Sequence, residues 1–107
     1  MTSFRLSREA LAFRLTWMTA RQVFFEGHVQ GVGFRWSVKR IATGYDVTGW
    51  VRNLPDGRVE MHVMGEKSEV EGFIEGVQES ELRANIRRTE VSNGDLRSGA
   101  KGFEIRP

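Results

Sequence analysis

The sequence predicts an α+β domain in which an antiparallel sheet carries two helices on one face. Three observations support this fold class. Segments with the period of two that is typical of strands alternate with two segments that have the 3.6-residue period of helices. A Pro-Asp-Gly turn at residues 55–57 separates two of the strands. The chain has 107 residues, near the commonest size of a single domain.

A glycine-containing loop joins the first predicted strand to the first predicted helix. Residues 22–26, Gln-Val-Phe-Phe-Glu, are rich in strand-forming side chains. The helix is expected to begin near Phe34, and Gly44 is well placed to end it in a left-handed turn. Its apolar positions recur at helical spacing, and they are Phe34, Val38, Ile41 and Ala42.

A hairpin is predicted next. Residues 46–53 form a second strand, the turn occupies residues 54–57, and apolar residues alternate along a third strand at Val59, Met61 and Val63. By the period of two, Trp50 and Arg52 share one face of the second strand, while Val51 and Asn53 share the other. We interpret Trp50 as a packing residue.

A second helix and two strands complete the order. Ser68 and Glu71 have the spacing of a capping box, which predicts that the helix begins at Ser68. Its apolar stripe is Val70, Phe73, Ile74 and Val77. Strand patterns return at residues 86–91 and 102–106, joined by a polar loop at residues 93–99.

Strand, helix, strand, strand, helix, strand is the order of the split β-α-β, or ferredoxin-like, plan. In this plan we expect the crossovers to bring the end of the first strand beside the second strand. Asn53 would then lie near the glycine loop, although it is 18 residues from Arg35 in sequence.

Composition excludes several classes of function. The chain has no cysteine, which rules out disulfides, thiol nucleophiles and thiolate metal sites. Its two histidines, His28 and His62, lack a metal-ligand spacing, and we assign them surface or strand-face roles. No apolar run reaches the length of a membrane span.

The charge balance argues against a nucleic-acid partner. Three of the 16 basic residues and one of the 14 acidic residues precede Met18, so 13 of each follow and that part of the chain is formally neutral. Residues 1–17 mix helical and strand periods, and we expect a poorly ordered N-terminal extension before a domain at residues 18–107. Met18 is a candidate natural start.

The loop around Gly31 and Gly33 has the features of an anion cradle. Glycines let the backbone approach a ligand closely, so that successive N–H groups can converge on one anion. The helix beginning near Phe34 adds its positive end. Arg35 supplies a planar charged group that can bind two oxygens of one phosphate. The loop lacks both common nucleotide-binding fingerprints, so the expected ligand is the phosphate group of a small substrate and not a large nucleotide.

Two stretches carry a resemblance to a known family. Residues 27–35, GHVQGVGFR, and residues 49–60, GWVRNLPDGRVE, resemble the two signature stretches of the acylphosphatases, and the likeness extends over about residues 18–107. Two departures concern packing alone: Tyr45 stands at a position that is more often aliphatic, and residues 85–89 are unusually polar for a late core strand.

The resemblance implies a ferredoxin-like enzyme that hydrolyses acyl phosphates, is cytoplasmic, and needs no metal or other cofactor. Arg35 and Asn53 would be catalytic: Arg35 binds the substrate phosphate and Asn53 positions the attacking water. The backbone amides of the loop would bind the phosphate, and the residues concerned are Gln30, Gly31, Val32, Gly33, Phe34 and Arg35. Inorganic phosphate or another small anion could occupy the same cradle. We expect a monomer.

Two other functions fit parts of the pattern. Acylphosphatase-like domains occur as non-catalytic modules in larger proteins that handle carbamoyl phosphate, and a fold alone does not fix a function. Ferredoxin-like sheets also bind single-stranded RNA by stacking bases on aromatic residues. The aromatic signature of those RNA-binding domains is not found in this sequence.

Overall fold

The computed structural model describes residues 18–97 and 101–107. The expectations for residues 1–17, and for residues 98–99 of the polar loop, lie outside this part of the chain. The elements in chain order are β1 (Met18–Gly27), α1 (Phe34–Ala42), β2 (Val47–Asn53), β3 (Val59–Glu66), α2 (Lys67–Glu79), a 3₁₀ helix (Glu81–Asn85), β4 (Ile86–Asn93) and β5 (Phe103–Arg106).

These strands form one five-stranded sheet in the order β4-β1-β3-β2-β5. The first four pair antiparallel, as predicted, whereas β5 pairs parallel with β2, so the complete sheet is mixed. The ferredoxin-like α+β fold class is confirmed. The polar residues near the start of β4 are explained by its position at an edge of the sheet, where most of its side chains are exposed.

The prediction that the end of β1 lies beside β2 is wrong, because β3 lies between them and pairs with both. Two strands that are each antiparallel to the same neighbour run in the same direction. The carboxyl ends of β1 and β2 therefore lie at the same end of the sheet, where the strands of that direction stop. The glycine loop and Asn53 lie near each other because β1 and β2 end on the same side of the sheet, although the two strands do not pair.

The core lies between one face of the sheet and both helices. Alternate residues of the strands point into it, as the period of two requires, and the predicted stripe of α2 is buried against them. Burying one large apolar side chain of this kind contributes about 1.5–3 kcal/mol. The fully buried members of this cluster include Val23, Phe25, Val38, Val51, Val59, Met61, Val63, Val70, Phe73 and Val77.

Two predictions of helix ends are wrong. Gly44 does not have a positive φ; instead the amides of Thr43, Gly44 and Tyr45 donate to carbonyls three residues earlier and close the end of α1. Ser68 does not cap α2, since the helix begins at Lys67, directly after β3, and its N-cap makes no side-chain hydrogen bond. At α2 no residue separates the strand from the helix, so the end of β3 sets the start of the helix.

Tyr45 is accommodated by two glycines of α2. A Cβ atom on Gly76 would lie 2.7 Å from the Tyr45 hydroxyl oxygen, and one on Gly72 would lie 3.2 Å from its ring. The Tyr45 ring also contacts Phe73, with 5.8 Å between ring centroids. The doubt that the sequence raised about packing at Tyr45 is therefore resolved by small residues on the facing helix.

Candidate active site

The loop between β1 and α1 holds two residues in the left-handed region of backbone angles. The φ angle is 75° at Gly31 and 73° at Gly33, where residues other than glycine are strained. Gly33 is also the N-cap of α1, and the first turn of this helix contains no acidic residue. The amide of Ser37 makes the first helical bond, to the Gly33 carbonyl. The amides of residues 34–36 thus have no intrahelical acceptor at the positive end of α1.

A cleft of about 180 Å³ opens at this end of the helix. It brings together Arg35 and Asn53, the two residues predicted to be catalytic. The lining residues are Val29, Gly31, Gly33, Phe34, Arg35, Trp36, Asn53 and Ile105. Sequence reasoning missed Trp36 and Ile105. Trp36 could have been found, since it follows Arg35 in the first turn of α1, but no local pattern links Ile105 of β5 to this loop.

Arg35 is held by a neutral partner. Its Nη1 donates a hydrogen bond of 3.0 Å to the backbone carbonyl of Arg106 in β5. None of the ion pairs found within residues 18–97 and 101–107 includes Arg35. A guanidinium has five N–H donors, so this single bond orients the group without neutralising its charge. A guanidinium held in this way is suited to bind an anion.

Asn53 lines the same cleft, and its side chain carries an oxygen without a partner among the described residues. Its Oδ1 is buried and has no hydrogen-bond partner among the residues that the structure describes. Most buried side-chain oxygens accept a hydrogen bond, and an exception calls for an explanation. The side-chain amide of a cleft residue is suited to exchange hydrogen bonds with a small ligand or with water.

The other predicted cradle residues differ in position. Gly31, Gly33 and Phe34 line the cleft, whereas Gln30 and Val32 are not among its lining residues. The Gln30 side chain points to the hairpin, because its Nε2 donates bonds of 2.8 Å to the carbonyls of Leu54 and Arg58. Val32 is 40% exposed.

Trp50 and Arg52 of β2 lie on the other face of the sheet, away from the cleft. Trp50 stacks on the ring of His62, with centroids 5.9 Å apart. The guanidinium carbons of Arg52 and Arg106 lie 5.2 and 4.9 Å from the centroid of the Trp50 ring. All four side chains lie on the face of the sheet that the helices leave uncovered. Their arrangement agrees with the interpretation of Trp50 as a packing residue and of His62 as a strand-face residue.

A larger cleft, of about 360 Å³, lies beside the hairpin turn and contains neither Arg35 nor Asn53. Its Arg58 is paired with Asp56, with 2.8 Å between Arg58 Nε and Asp56 Oδ2. The Arg58 backbone amide donates a hydrogen bond to this carboxylate, and so does the Arg58 side chain. These bonds, the backbone one above all, hold the pKa of Asp56 below its ordinary value. The larger cleft is lined by two carboxylates, Glu26 and Asp56, as well as by Arg58 and Arg87. Because the carboxylates repel an anion, size alone does not make this cleft the better anion site.

A comparison with protein families now decides the assignment. The family model described as Acylphosphatase matches residues 21–105. The chain belongs to the acylphosphatase family. The match contains both signature stretches, the whole cleft, and every element from β1 to the last strand except a few terminal residues.

Two acylphosphatases from other organisms are similar to this chain over most of its length. An acylphosphatase of Rubrobacter xylanophilus is 40% identical over 104 residues, which is 96% of this chain and 94% of the relative. The structure of an acylphosphatase from Coxiella burnetii superposes with a TM-score of 0.76 at 30% identity, covering 87% of this chain and 97% of that one.

A larger protein contains a similar domain. The structure of full-length HypF in the phosphate- and nucleotide-bound form matches with a TM-score of 0.73 at 31% identity. The match covers 84% of this chain but only 12% of that protein. The family fold therefore also occurs as a small part of a longer chain.

The described residues of this family member form neither a metal-binding cluster nor a membrane-spanning helix. No group of three or more histidine, cysteine, aspartate or glutamate side chains is arranged to hold a metal ion within residues 18–97 and 101–107. In the same part of the chain, neither helix is long and apolar enough to cross a membrane.

Proposed function

We propose that the cleft hydrolyses acyl phosphates by in-line attack of water on phosphorus, with Asn53 holding the water and Arg35 and the loop amides holding the phosphoryl group. Membership of the acylphosphatase family supports the reaction. The observation that supports the mechanism is that Asn53 and Arg35 line the same cleft. Among the described residues, Asn53 Oδ1 has no hydrogen-bond partner and Arg35 forms no ion pair.

Arg35 and the loop stabilise negative charge. In phosphoryl transfer the charge lies on the non-bridging phosphoryl oxygens, and fixed donors lower the barrier because they need not reorganise during the reaction. The amides at the start of α1 and the guanidinium of Arg35 are such donors. In this proposal the amides of residues 30–35 form the cradle, and Gln30 and Val32 contribute through their backbones.

Asn53 orients the nucleophile. Its Oδ1 accepts a hydrogen bond from the water and directs the water oxygen at phosphorus, opposite the leaving group. An amide is a poor base, so the proton passes to an oxygen of the phosphoryl group. The new P–O bond forms to the water oxygen while the bond between phosphorus and the acyl oxygen breaks. The electron pair of that bond leaves with the carboxylate, which is stable enough to depart without an acid.

The test is hydrolysis of benzoyl phosphate with EDTA present, comparing the wild type with Arg35→Ala and Asn53→Ala. We expect rapid wild-type turnover. We expect Asn53→Ala to lose about a hundred- to a thousandfold in kcat while still binding inorganic phosphate, and Arg35→Ala to lose both turnover and phosphate binding.

Asn93→Ala is the matched control for this test. Asn93 also ends a strand, but its Oδ1 accepts a bond of 3.1 Å from Arg21, away from the cleft. It should keep wild-type kcat. Equal loss of phosphate affinity in Asn53→Ala and Arg35→Ala would refute the division of roles, and dependence of the wild type on a metal that EDTA removes would refute the metal-independent scheme.

A non-catalytic phosphate-binding module is the second candidate. The likeness to a small part of HypF, whose structure is described as phosphate- and nucleotide-bound, favours it. The same assay separates the two functions, because a module would bind inorganic phosphate without turnover of benzoyl phosphate or carbamoyl phosphate.

The proposal extends to the partners of the protein. We place it in the cytoplasm as a monomer whose cleft also accepts inorganic phosphate and which binds no nucleic acid. Occupation of the Trp50 ring by His62 and two arginines supports the last point, because a base would have to displace them to stack there. Light scattering after size-exclusion chromatography and a titration with single-stranded RNA at low salt test these statements.

A further inference from the structure

Gln30 connects the loop between β1 and α1 to the β2–β3 hairpin. Its side-chain Nε2 donates hydrogen bonds of 2.8 Å to the carbonyl of Leu54 and to the carbonyl of Arg58. These lengths are normal for N–H···O bonds. A side-chain amide has two N–H groups, so both of its donors are used. The residue is partly buried, which limits competition from solvent.

The two acceptors are the carbonyls that close the hairpin. Leu54 donates from its amide to the Arg58 carbonyl at 2.8 Å, and Gly57 donates to the Leu54 carbonyl at 3.2 Å. Asn53 is the residue immediately before Leu54. A bond to the Leu54 carbonyl therefore restrains the backbone directly beside the Asn53 side chain.

The sheet does not itself provide this connection. The strands that carry the loop and Asn53 are separated by β3. No backbone hydrogen bond within residues 18–97 and 101–107 joins residues 29–33 to residues 54–58. The Gln30 side chain is thus the polar link between the two parts of the cleft, one holding phosphate and the other holding water.

We propose that Gln30 is a positioning residue, which keeps Asn53 in register with the phosphate-binding loop. The inference rests on the proposed function of Asn53. It assigns a role to the Gln30 side chain in addition to the role that its backbone amide has in the cradle. In-line attack depends on the placement of the water, and a displacement of roughly 1 Å can cost about a hundredfold in rate. Phosphate binding by the loop and Arg35 should depend far less on the hairpin.

The experiment measures kcat and KM for benzoyl phosphate, and the inhibition constant of inorganic phosphate, in Gln30→Met. Methionine has a similar length but no donor. We expect kcat to fall about ten- to a hundredfold and the inhibition constant to change by less than about threefold. Gln30→Lys restores donors of similar reach and should recover at least part of the lost kcat.

Gln22→Met is the matched control. Gln22 also donates through its Nε2, but to the Glu60 carboxylate on the uncovered face of the sheet. The same chemical change there should leave kcat within about twofold of the wild type. Thermal unfolding shows whether each variant is folded, and Gln30→Ala replaces Gln30→Met if methionine prevents folding.

A second readout does not depend on turnover. The NMR signals of the Asn53 side-chain amide, assigned by their loss in Asn53→Ala, should shift in Gln30→Met but not in Gln22→Met. Unchanged kcat in Gln30→Met, or a loss of phosphate affinity as large as the loss of kcat, would overturn the proposal. If the wild type had no turnover, the proposed function would fail, and unmoved Asn53 signals would separately refute the positioning role.

Discussion

Arg35 and Arg52 lie on opposite faces of the sheet and have opposite surroundings. Arg52 Nε is 2.6 Å from Glu60 Oε1, a carboxylate that is almost fully buried, and its guanidinium lies over the Trp50 ring. Arg35 is bound to a backbone carbonyl, and within the described residues it pairs with no carboxylate. Arg52 is paired with a carboxylate of the protein, whereas Arg35, in the proposed function, binds the substrate phosphate.

The contrast shows how neighbouring residues acquire different tasks. Arg52 and Asn53 are adjacent in sequence, but the period of two sends their side chains to different faces. On the uncovered face the polar groups bind one another, as Gln22 and Arg52 do with Glu60. At the cleft, among the described residues, Asn53 Oδ1 accepts no hydrogen bond and Arg35 donates one, to a backbone carbonyl. The candidate active site is therefore distinguished by polar groups whose hydrogen bonds the described part of the protein does not satisfy, and not by polar residues as such.

The largest predicted effect is the difference between Arg35→Lys and Arg52→Lys. Lysine retains the charge but not the planar fork, so Arg35→Lys should lose about a hundredfold or more in kcat/KM for benzoyl phosphate. Arg52→Lys should remain within about threefold of the wild type, because its partner is Glu60 and not the substrate. Comparable losses in the two variants would show that the two faces of the sheet are not functionally distinct.

A smaller effect is expected from two glycines with almost the same backbone angle. The φ angle is 73° at Gly33 and 74° at Gly102, and an added Cβ would meet no atom within 4 Å at either position. Alanine should therefore cost about 1–2 kcal/mol of unfolding free energy at both. Only Gly33→Ala should also lose activity, by about tenfold, since strain there shifts the amides at the start of α1. Denaturant unfolding and benzoyl phosphate kinetics measure both quantities.

Wild-type activity in both Gly33→Ala and Gly102→Ala, at equal stability, would contradict a role for the loop geometry in phosphate binding. A loss of activity in both would instead indicate that β5, which begins after Gly102, transmits its disturbance to the cleft through Ile105 or the Arg106 carbonyl.

The smallest predicted effect concerns the outer side of the hairpin. Hydrogen bonds from Arg58 hold the pKa of Asp56 below its ordinary value of 3.8. A lowered pKa means that the carboxylate stabilises the fold above its unfolded pKa, and that this contribution is lost as the pH falls through the folded value. Asp56→Asn should thus lower the melting temperature slightly at pH 7 and not at all once Asp56 is protonated in the wild type.

Loss of the Asp56–Arg58 ion pair should not change the enzymatic activity. At pH 7 the kcat of Asp56→Asn should stay within about twofold of the wild type, because Asp56 is exposed and lies in the larger cleft. A large loss of kcat would mean that the outer side of the hairpin, like Gln30 on its inner side, controls the position of Asn53.

Local patterns were sufficient for much of this molecule. The alternation in residues 46–53 and 59–63, the turn between them and the stripe from Val70 to Val77 predicted elements that the structure contains. The glycine loop and Arg35 were recognisable as an anion-binding pattern, since the chemistry of phosphate requires such groups close together in sequence. The helix ends at Gly44 and Ser68 were predicted wrongly because residue preferences locate a helix end only to within one or two residues.

By itself the sequence determined the order of the elements, the residues that face the core and the chemical character of the loop, because each of these depends on neighbours a few residues away. Only the tertiary structure decided that β3 separates β1 from β2, that the Arg106 carbonyl holds Arg35, and that Gln30 binds the hairpin beside Asn53. Those contacts join residues 24 to 71 positions apart. The packing of the strands and helices determines which residues make these contacts, and the local periodicity of the sequence carries no information about it.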